Sequence, residues 1–423
     1  MKRRDLLQSS AALGLLSLAG CAAGRIPAKA QVVVIGGGYG GATAARYLRL
    51  FSEHRVEVVL IEPDADFVSC PLSNLVIGGS RQMGDITMAY TGLERHGVRV
   101  VHDVAQAVDT QRKTVALAGG ASIGYDMLVV SPGVELQLDE IEGLPAAHAA
   151  GQVVQAWKAG PETLALRRQL EAMRDGGVFA ITIPEQPYRC PPAPYERACQ
   201  VAWYFQRAKP RSKVLVLDAN PDITSQGAIF RKAWAEQYAG MIEYRPQHKV
   251  VGVDGRAGVI EVEVQDDVKA DVLNVLPPMR AGAIAAQAGL RNLADRRWCG
   301  VDFLSFESTA ARDVYVLGDA IQVAPLMAKS GHMANSHAKV AAAAIVARLS
   351  GWDIDPAPVL TNTCYSYLDD QSVAHVASIH AYDAAQKTFL PVPGSGGLSP
   401  AANREEARYA RDWARNIWAD MLG

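Results

Sequence analysis

A glycine-rich loop that directly follows a short apolar segment constrains the fold of this chain more than any other feature. Residues 31–35 read Gln-Val-Val-Val-Ile, a run typical of a strand buried on both faces of a parallel sheet. Gly36, Gly38 and Gly41 follow on the spacing G-x-G-x-x-G. The first glycine permits a tight turn, the second lets backbone approach a pyrophosphate, and the third allows a helix to pack closely on the strand. This spacing predicts a dinucleotide-binding βαβ unit.

The residues after the loop support that interpretation. Residues 42–48 have helical character, and the N-terminal amides of such a helix face bound phosphates. A second apolar segment, 56–61, ends at Glu62, where an acidic residue binds ribose hydroxyls in this kind of unit. A glycine triplet alone is often only a turn, but the strand, the helix and the acid together favour a nucleotide site.

A second unit with the same spacing begins near residue 162. A helix is predicted over 162–174 and strands over 178–183 and 213–217, with Asp218 where a ribose-binding acid would stand. Its loop, residues 184–194, contains five prolines and no glycine. Proline has no amide hydrogen to donate, so this loop cannot cradle a pyrophosphate. The second unit is therefore expected to keep the fold and to lack a nicotinamide site.

A further apolar segment returns the chain to the first unit. Residues 314–317 precede Gly318 and Asp319, the form of the second FAD motif, whose acid lies by the ribityl–phosphate region. The alternative is a strand with an aspartate in its turn. A long helix is predicted over 332–349, ended by Gly351. The predicted cofactor is FAD.

These patterns predict an α/β fold with two Rossmann-like dinucleotide-binding domains in a glutathione-reductase-like arrangement, plus a C-terminal α+β interface domain. The chain has 423 residues, which is too long for one ordinary core. The predicted segments are 1–30 (export signal), 31–142 and 284–351 (FAD-binding domain), 143–283 (second Rossmann-like domain) and 352–423 (C-terminal domain). In the last helix Tyr409, Trp413, Ile417 and Met421 recur every fourth residue, and this stripe is expected to pack on the body rather than on a membrane surface.

The N-terminus has the composition of an export signal. Arg3 and Arg4 precede an apolar run over residues 11–19, as in twin-arginine signals, so a periplasmic location is expected. Residues 28–30 offer a cleavage site, whereas residues 18–21 resemble a lipoprotein signal with a lipid anchor at Cys21. No apolar run reaches 18 residues, so no transmembrane segment is predicted. A net charge of -2 gives no reason to expect nucleic acid as a partner.

The cysteine count is informative in an exported protein, because disulfides persist there. Without Cys21 five cysteines remain, so at least one is free or bonded to something other than cysteine. From the residues alone, a buried thiol is the favoured interpretation of Cys70. Cys190 could pair with nearby Cys199, although Cys199 falls within a predicted helix, which argues against that pair. The chain has no Cys-x-x-Cys-His motif for haem attachment, and no metal site is predicted.

Three cysteine-centred motifs carry a resemblance to a known family. They are residues 69–74 (Ser-Cys-Pro-Leu-Ser-Asn), 190–198 (Cys-Pro-Pro-Ala-Pro-Tyr-Glu-Arg-Ala) and 362–366 (Asn-Thr-Cys-Tyr-Ser). With them the chain resembles the flavoprotein subunit of flavocytochrome c sulfide dehydrogenase over nearly all of its mature length. Residues 328–331 (Ala-Lys-Ser-Gly) and the twin-arginine leader fit that family as well.

The resemblance implies roles for individual residues. It implies a thioether between Cys70 and the 8α carbon of FAD, and a Cys190–Cys364 disulfide beside the isoalloxazine ring. Glu196 is a candidate for proton transfer, although an acid is also favoured at a helix start by the helix dipole. Lys329 and the following helix N-terminus are expected to favour an anionic reduced flavin.

The implied activity is oxidation of sulfide to sulfur or polysulfide. Hydrosulfide would open the disulfide, electrons would pass to FAD, and a haem c on a cytochrome subunit, in a heterodimer, would receive them. One alternative is a sulfide:quinone oxidoreductase, which delivers electrons to membrane quinone. Another is a flavin electron-transfer module without sulfide chemistry of its own.

Overall fold

The computed structural model describes residues 30–423. Residues 1–29 of the predicted export signal, with Arg3, Arg4 and Cys21, lie outside the described residues.

The first part of the chain forms parallel strands, a helix behind the glycine loop and a small antiparallel meander. Four of the five residues of the first strand are buried, as its apolar sequence predicts. Residues 105–124 form the meander, in which three short strands pair antiparallel. The elements up to residue 149 are β1 (Gln31–Ile35), α1 (Tyr39–Phe51), β2 (Glu57–Ile61), β3 (Asp66–Val68), α2 (Ser73–Gly78), β4 (Thr87–Ala89), α3 (Thr91–Arg95), β5 (Val98–Val101), β6 (Ala105–Asp109), β7 (Thr114–Leu117), β8 (Ser122–Gly124), β9 (Met127–Val130), β10 (Val134–Leu136) and α4 (Leu144–Ala149).

The second unit has a four-stranded parallel sheet with helices between its strands. Its elements are α5 (Pro161–Ala172), β11 (Val178–Ile183), α6 (Ala193–Ala208), β12 (Lys213–Asp218), α7 (Gly227–Glu236), β13 (Ile242–Arg245), β14 (Val250–Asp254), β15 (Val259–Val262), β16 (Val268–Lys269), β17 (Val272–Asn274) and β18 (Met279–Ala281). The order of the parallel strands is β13-β12-β11-β17. Between β13 and β17 the chain forms a separate three-stranded antiparallel sheet, β14-β15-β16.

The chain then returns and completes the sheet of the first unit. The elements are α8 (Ala283–Gln287), β19 (Val301–Asp302), β20 (Glu307–Ser308), β21 (Val314–Val316) and α9 (Gly331–Ser350). The completed sheet has seven strands in the order β19-β20-β21-β9-β1-β2-β5, and β5, β2, β1, β9 and β21 run parallel. The carboxyl ends of these strands therefore meet at one edge, the edge at which α/β folds bind ligands. Helix α9 packs along α1 and ends at Gly351 in the left-handed region, as predicted.

The C-terminal part is an antiparallel sheet followed by a long helix. Its elements are β22 (Val359–Tyr367), β23 (Val373–Asp383), β24 (Thr388–Pro391), β25 (Gly397–Leu398) and α10 (Arg404–Leu422). Helix α10 packs on both β23 and α1, so this part covers the first unit. The predicted α/β class with two Rossmann-like units and an α+β C-terminal part is confirmed. None of the helices within residues 30–423 combines the length and the apolar character needed to cross a bilayer.

One packing prediction is wrong in part. Ile417 and Met421 are buried on the body as expected, but Tyr409 is 52% exposed and its hydroxyl donates to Glu405. The α-helix has 3.6 residues per turn, so a stripe of every fourth residue drifts around the helix. Over the length of α10 the buried face passes through Ala410 and Ala414 and leaves Tyr409 outside.

Candidate active site

The glycine loop forms the start of the site. Gly36 has φ +94, and a Cβ there would lie 2.4 Å from the carbonyl oxygen of Ser131. A Cβ on Gly41 would lie 1.7 Å from the carbonyl oxygen of Gly36, so α1 packs as closely on β1 as a glycine allows. A Cβ on Gly38 would meet nothing within 4 Å, because this position opens into a cavity. The loop has the shape that backbone contact with a phosphate group requires.

Two acidic residues at the same sheet edge fit a dinucleotide. A carboxylate oxygen of Glu62 accepts the amide hydrogen of Gly37 at 2.6 Å, which fixes the side chain beside the loop. Asp319 lies in a short 3₁₀ turn, Gly318–Ala320, after β21, and one of its carboxylate oxygens is buried without a hydrogen-bond partner. A buried acceptor of this kind is costly unless a ligand donates to it. The ribityl or ribose hydroxyls of FAD are donors that suit it.

The cavity has a volume of about 330 Å³ and reaches well beyond the glycine loop. Its walls include five of the six residues predicted to hold the nucleotide, namely Gly36, Gly38, Glu62, Gly318 and Asp319. The same cavity is lined by the remaining predicted catalytic and cofactor-attachment residues, Cys70, Cys190, Glu196 and Cys364. Gly41 packs behind the loop instead of facing the cavity.

Cys190 is held by backbone contacts in an unusual conformation. It lies in the proline-rich loop before α6 with φ +58, a region that non-glycine residues adopt rarely. Its amide donates to the carbonyl oxygen of Lys329 at 2.7 Å, and its carbonyl accepts the amide of Ala193 at 3.0 Å. Burial raises the pKa of the Cys190 thiol well above its ordinary value. Backbone strain that the surroundings maintain is typical of functional sites.

Cys364 reaches the cavity from β22. The side chain of Asn362 lies 3.7 Å from its sulfur, and burial raises the pKa of the thiol to about 11. All five cysteines within residues 30–423 are free thiols in the structure. Cys190 and Cys364 therefore lie on the walls of one cavity, and the disulfide between them stays a prediction.

The other cysteines separate into one cavity residue and two core residues. Cys70 is half-buried, and its sulfur accepts the amide hydrogen of Ala159 at 3.5 Å, so it is not the fully buried thiol of the alternative interpretation. Cys199 is buried within α6, where it accepts the indole N–H of Trp234 at 3.3 Å. That contact argues against a local Cys190–Cys199 pair. Cys299 is also buried.

Glu196 belongs to a buried polar network. It lies in the first turn of α6 and is 7% exposed. One carboxylate oxygen accepts the side-chain N–H of Asn74 at 2.7 Å, and the other accepts the amide of Tyr367 at 2.9 Å. Burial raises the pKa of Glu196 to about 7, while these two donors act in the opposite direction. The carboxyl group can therefore exchange a proton near neutral pH.

Arg197 completes that network and was missed by sequence reasoning. It is 1% exposed, and burial lowers the pKa of its guanidinium to about 9. It donates to the side chains of Asn74 and Asn274 and to the carbonyl oxygens of Gln155 and Ala156. Asn74 and Arg197 both stand inside the cysteine-centred motifs, which was the one signal that could have indicated them.

The structure places Lys329 differently from the prediction. Its ammonium donates to the carbonyl oxygens of Asp319 and Ile321, at 2.9 and 2.6 Å, and lies 3.6 Å from the ring centroid of Trp298. It is not part of the cavity wall, and burial lowers its pKa to about 7. The role of Lys329 beside the flavin stays a prediction. The start of α9, Gly331, does line the cavity.

In the second unit, protein groups already bind the acidic residue that was predicted to stand where a ribose-binding acid would be. Asp218 is fully buried, and its carboxylate accepts hydrogen bonds from the hydroxyls of Tyr195 and Tyr244, at 2.7 and 3.0 Å, and from Asn220. With these donors in place the carboxylate has no free access to ribose hydroxyls. Together with the proline-rich loop, this arrangement supports the prediction that the unit binds no nicotinamide nucleotide.

Comparisons with known proteins agree with these features. Family models described as "Sulfide dehydrogenase (flavocytochrome c) flavoprotein chain, central" and "Flavocytochrome c sulphide dehydrogenase, flavin-binding" match residues 163–277 and 356–422. A third, "Pyridine nucleotide-disulphide oxidoreductase", matches residues 30–168. The flavoprotein chain of sulfide dehydrogenase (flavocytochrome c) from Chlorobaculum thiosulfatiphilum is 52% identical over 46 residues, which are 11% of this chain and 94% of that sequence.

More distant relatives match longer stretches of the chain. The mitochondrial sulfide:quinone oxidoreductase of Mus musculus is 24% identical over 315 residues, and the matched region is 68% of this chain and 65% of the mouse protein. The structure of the sulfide:quinone oxidoreductase of Aquifex aeolicus matches with a TM-score of 0.77 at 17% identity, covering 93% of this chain and 91% of that one. Putidaredoxin reductase, solved as a covalent complex with putidaredoxin, gives a TM-score of 0.65 at 16% identity, covering 92% and 93%. At these identities the structural matches show the fold alone.

The absence of a nucleotide site in the second unit can be tested with NADH. The flavin absorption band of the FAD-loaded protein is expected to stay unbleached under anaerobic NADH, because Asp218 and the proline-rich loop leave no site for the nucleotide. Dithionite serves as the positive control, since it needs no binding site. Rapid bleaching by NADH at micromolar concentration would show that the second unit is functional.

Proposed function

Because the chain belongs to the family of the flavoprotein chain of flavocytochrome c sulfide dehydrogenase, we propose that it is an FAD-dependent enzyme that oxidises sulfide to sulfur or polysulfide. The observation that carries the proposal is the meeting of Cys190, Cys364 and Glu196 in one cavity with both nucleotide-binding motifs. A thiol pair and a proton acceptor thus line the same space as the groups that suit the cofactor.

The cysteine pair is the group that we assign to the substrate's sulfur. In the oxidised enzyme Cys190 and Cys364 form a disulfide, and hydrosulfide attacks one of its sulfur atoms. A sulfur–sulfur bond to the substrate forms, the bond between the cysteines breaks, and the second cysteine leaves as a thiolate. Burial raises the pKa of both thiols. A thiol with a raised pKa gives a poorer leaving group and a stronger base, so the cysteine that leaves takes up a proton once the bond has opened.

Glu196 is the group that we assign to the proton. Oxidation of hydrosulfide to zero-valent sulfur releases one proton and two electrons. The carboxylate of Glu196 lies in the cavity wall, and burial raises its pKa to about 7. At neutral pH its protonated and ionised forms are therefore close in free energy, so it can both accept and release a proton. FAD, when bound, supplies the two-electron acceptor.

The residues that would hold FAD are those at the carboxyl edge of the first sheet. Gly36 and Gly38 would present backbone to the pyrophosphate. Glu62 would bind the ribose hydroxyls, and Asp319 would lie at the ribityl–phosphate region. We further propose that Cys70 carries the cofactor covalently. This is supported by the half-buried sulfur of Cys70, which lies on the wall of the same cavity beside the amide of Ala159 and the guanidinium of Arg189.

We propose that a haem c on a partner cytochrome subunit receives the electrons. The chain has no Cys-x-x-Cys-His motif of its own, and its second unit gives no support for a nicotinamide acceptor. The related flavoprotein chain of Chlorobaculum thiosulfatiphilum carries flavocytochrome c in its name. Export by the twin-arginine route to the periplasm, with cleavage near Ala30 or a lipid anchor at Cys21, is proposed from the N-terminal sequence.

Substitution of either reactive cysteine tests the thiol chemistry. In Cys190→Ser and Cys364→Ser the rate of flavin bleaching by sulfide is expected to fall by about two orders of magnitude or more, because no disulfide can form. Dithionite should still reduce the flavin. Cys199→Ser is the matched control, since Cys199 is buried outside the cavity, and it should keep normal sulfide turnover.

A purely structural disulfide predicts different numbers. Closing the long loop between Cys190 and Cys364 would stabilise the folded protein by about 4–5 kcal/mol in the chain-entropy model. Cys190→Ser would then lower the melting temperature strongly while the folded protein kept its sulfide turnover. Near-normal turnover in Cys190→Ser contradicts the mechanism, and sulfide that never bleaches the wild-type flavin would favour a flavin module without sulfide chemistry.

Covalent attachment predicts where the flavin goes after denaturation. When the wild-type protein is precipitated with acid, a tryptic peptide that contains Cys70 should carry the mass of the flavin. Cys70→Ala should still bind FAD through the glycine loop and Glu62 but release it into the supernatant. Release of all yellow colour from the wild-type protein would contradict the attachment.

The choice of acceptor separates the proposed enzyme from its quinone-reducing relatives. With sulfide as donor, a c-type cytochrome is expected to be reduced at the rate of flavin turnover. A short-chain ubiquinone analogue should be reduced no faster than in the enzyme-free blank. Faster reduction of the quinone than of the cytochrome would identify the protein as a sulfide:quinone oxidoreductase.

A further inference from the structure

Asn74 lies between the segment of Cys70 and the side chain of Glu196, and the sequence did not predict a role for it. It lies in the first turn of α2, which begins three residues after Cys70, and it is 4% exposed. Its side-chain nitrogen donates to Glu196 at 2.7 Å and to the carbonyl oxygen of Ala193 at 3.1 Å. Its side-chain oxygen accepts from Arg197 at 3.0 Å. Every polar atom of this amide is therefore used.

The guanidinium of Arg197 determines which way the amide faces. A guanidinium only donates hydrogen bonds, so the oxygen of Asn74 has to face it. The two hydrogens of the Asn74 nitrogen must then point to Ala193 and Glu196. Arg197 itself is held in place, because three more of its five N–H groups donate to Gln155, Ala156 and Asn274. The network thus holds one fixed N–H against one oxygen of Glu196.

We propose that Asn74 is a positioning residue for Glu196, and that its fixed N–H keeps the carboxylate in the cavity wall in a state that can accept the proton released from hydrosulfide. The inference deepens the proposed function and rests on it for the role of Glu196. With one oxygen bound by Asn74 and the other by the Tyr367 amide, the remaining lone pairs are the ones available to a proton.

Removing this N–H should make the carboxylate a stronger base. A hydrogen bond to the charged form lowers the pKa of a carboxyl group, and burial raises it. Without Asn74 the burial effect on Glu196 is opposed only by the Tyr367 amide and by the charge of Arg197. The other titratable groups close enough to act on Glu196 are Cys190 in the loop before α6, Cys199 on α6, and Cys364 and Tyr367 on β22.

The variant Asn74→Asp tests the contact with little change in shape. It keeps an acceptor for Arg197 but replaces the N–H that faces Glu196 with a carboxylate oxygen. The readout is the infrared C=O band of protonated Glu196 in the oxidised, FAD-loaded protein without sulfide, identified by its loss in Glu196→Gln. The midpoint of this band is expected near pH 7 in the wild type and at least one pH unit higher in Asn74→Asp, a tenfold gain in proton affinity.

Asn274→Asp is the matched control. It places the same charge beside the same guanidinium, since Asn274 accepts from Arg197 at 2.8 Å, but Asn274 does not contact Glu196. Its midpoint should move by less than half of the shift in Asn74→Asp. Equal shifts in the two variants, or no shift in Asn74→Asp, overturn the proposal. If Asn74→Asp does not fold, Asn74→Ser decides, and its midpoint must also rise.

A kinetic measurement keeps this inference separate from the proposed function. The pH dependence of flavin bleaching by sulfide should move in the same direction and by the same amount as the infrared midpoint. A purely structural role for Asn74 would lower the rate at every pH without moving the profile. If the midpoint shifts but sulfide never bleaches the flavin, the positioning of Glu196 stands and the proposed activity fails.

Discussion

The buried guanidinium of Arg197 is the constraint on which the site depends. A charge with almost no contact with water is tolerated only when its donors are satisfied, because an unpaired buried charge costs several kcal/mol. The acceptors come from the first unit (Asn74), from the second unit (Asn274) and from the segment that joins them (Gln155 and Ala156). Satisfying this one side chain therefore fixes the two units against each other and sets the orientation of the amide that faces Glu196.

The elements that sequence patterns predicted are those whose cause is local. The apolar run of β1, the spacing of Gly36, Gly38 and Gly41, and the acid Glu62 each follow from neighbouring residues, and the structure forms the βαβ unit that they predict. The cysteines could be selected for the same reason, since each stands in a short motif. The contacts between Asn74 and Arg197, 123 residues apart, depend on how two units pack and have no local pattern.

Side-chain direction was the second limit of sequence reasoning. Lys329 precedes α9 near the cavity, but its ammonium finds two backbone carbonyls and the face of Trp298 instead. A long side chain follows the nearest acceptors, and those were set by the 3₁₀ turn after β21. The second unit shows a related change. Its proline-rich loop carries Cys190 in place of a phosphate loop, and hydroxyls of Tyr195 and Tyr244 bind the acid that a ribose would have bound. The loop that cannot bind phosphate is thus the same loop that carries Cys190.

The segments that carry Cys190 and Cys364 are held by contacts that need no bond between the sulfurs. The amide of Cys190 binds the carbonyl oxygen of Lys329, and Ser330 in turn donates to Asn362, two residues before Cys364. Glu196 joins α6 to β22 through the amide of Tyr367. These hydrogen bonds hold the cavity walls on both sides of the cysteine pair, so the proposed disulfide could open without displacing the segments that carry it.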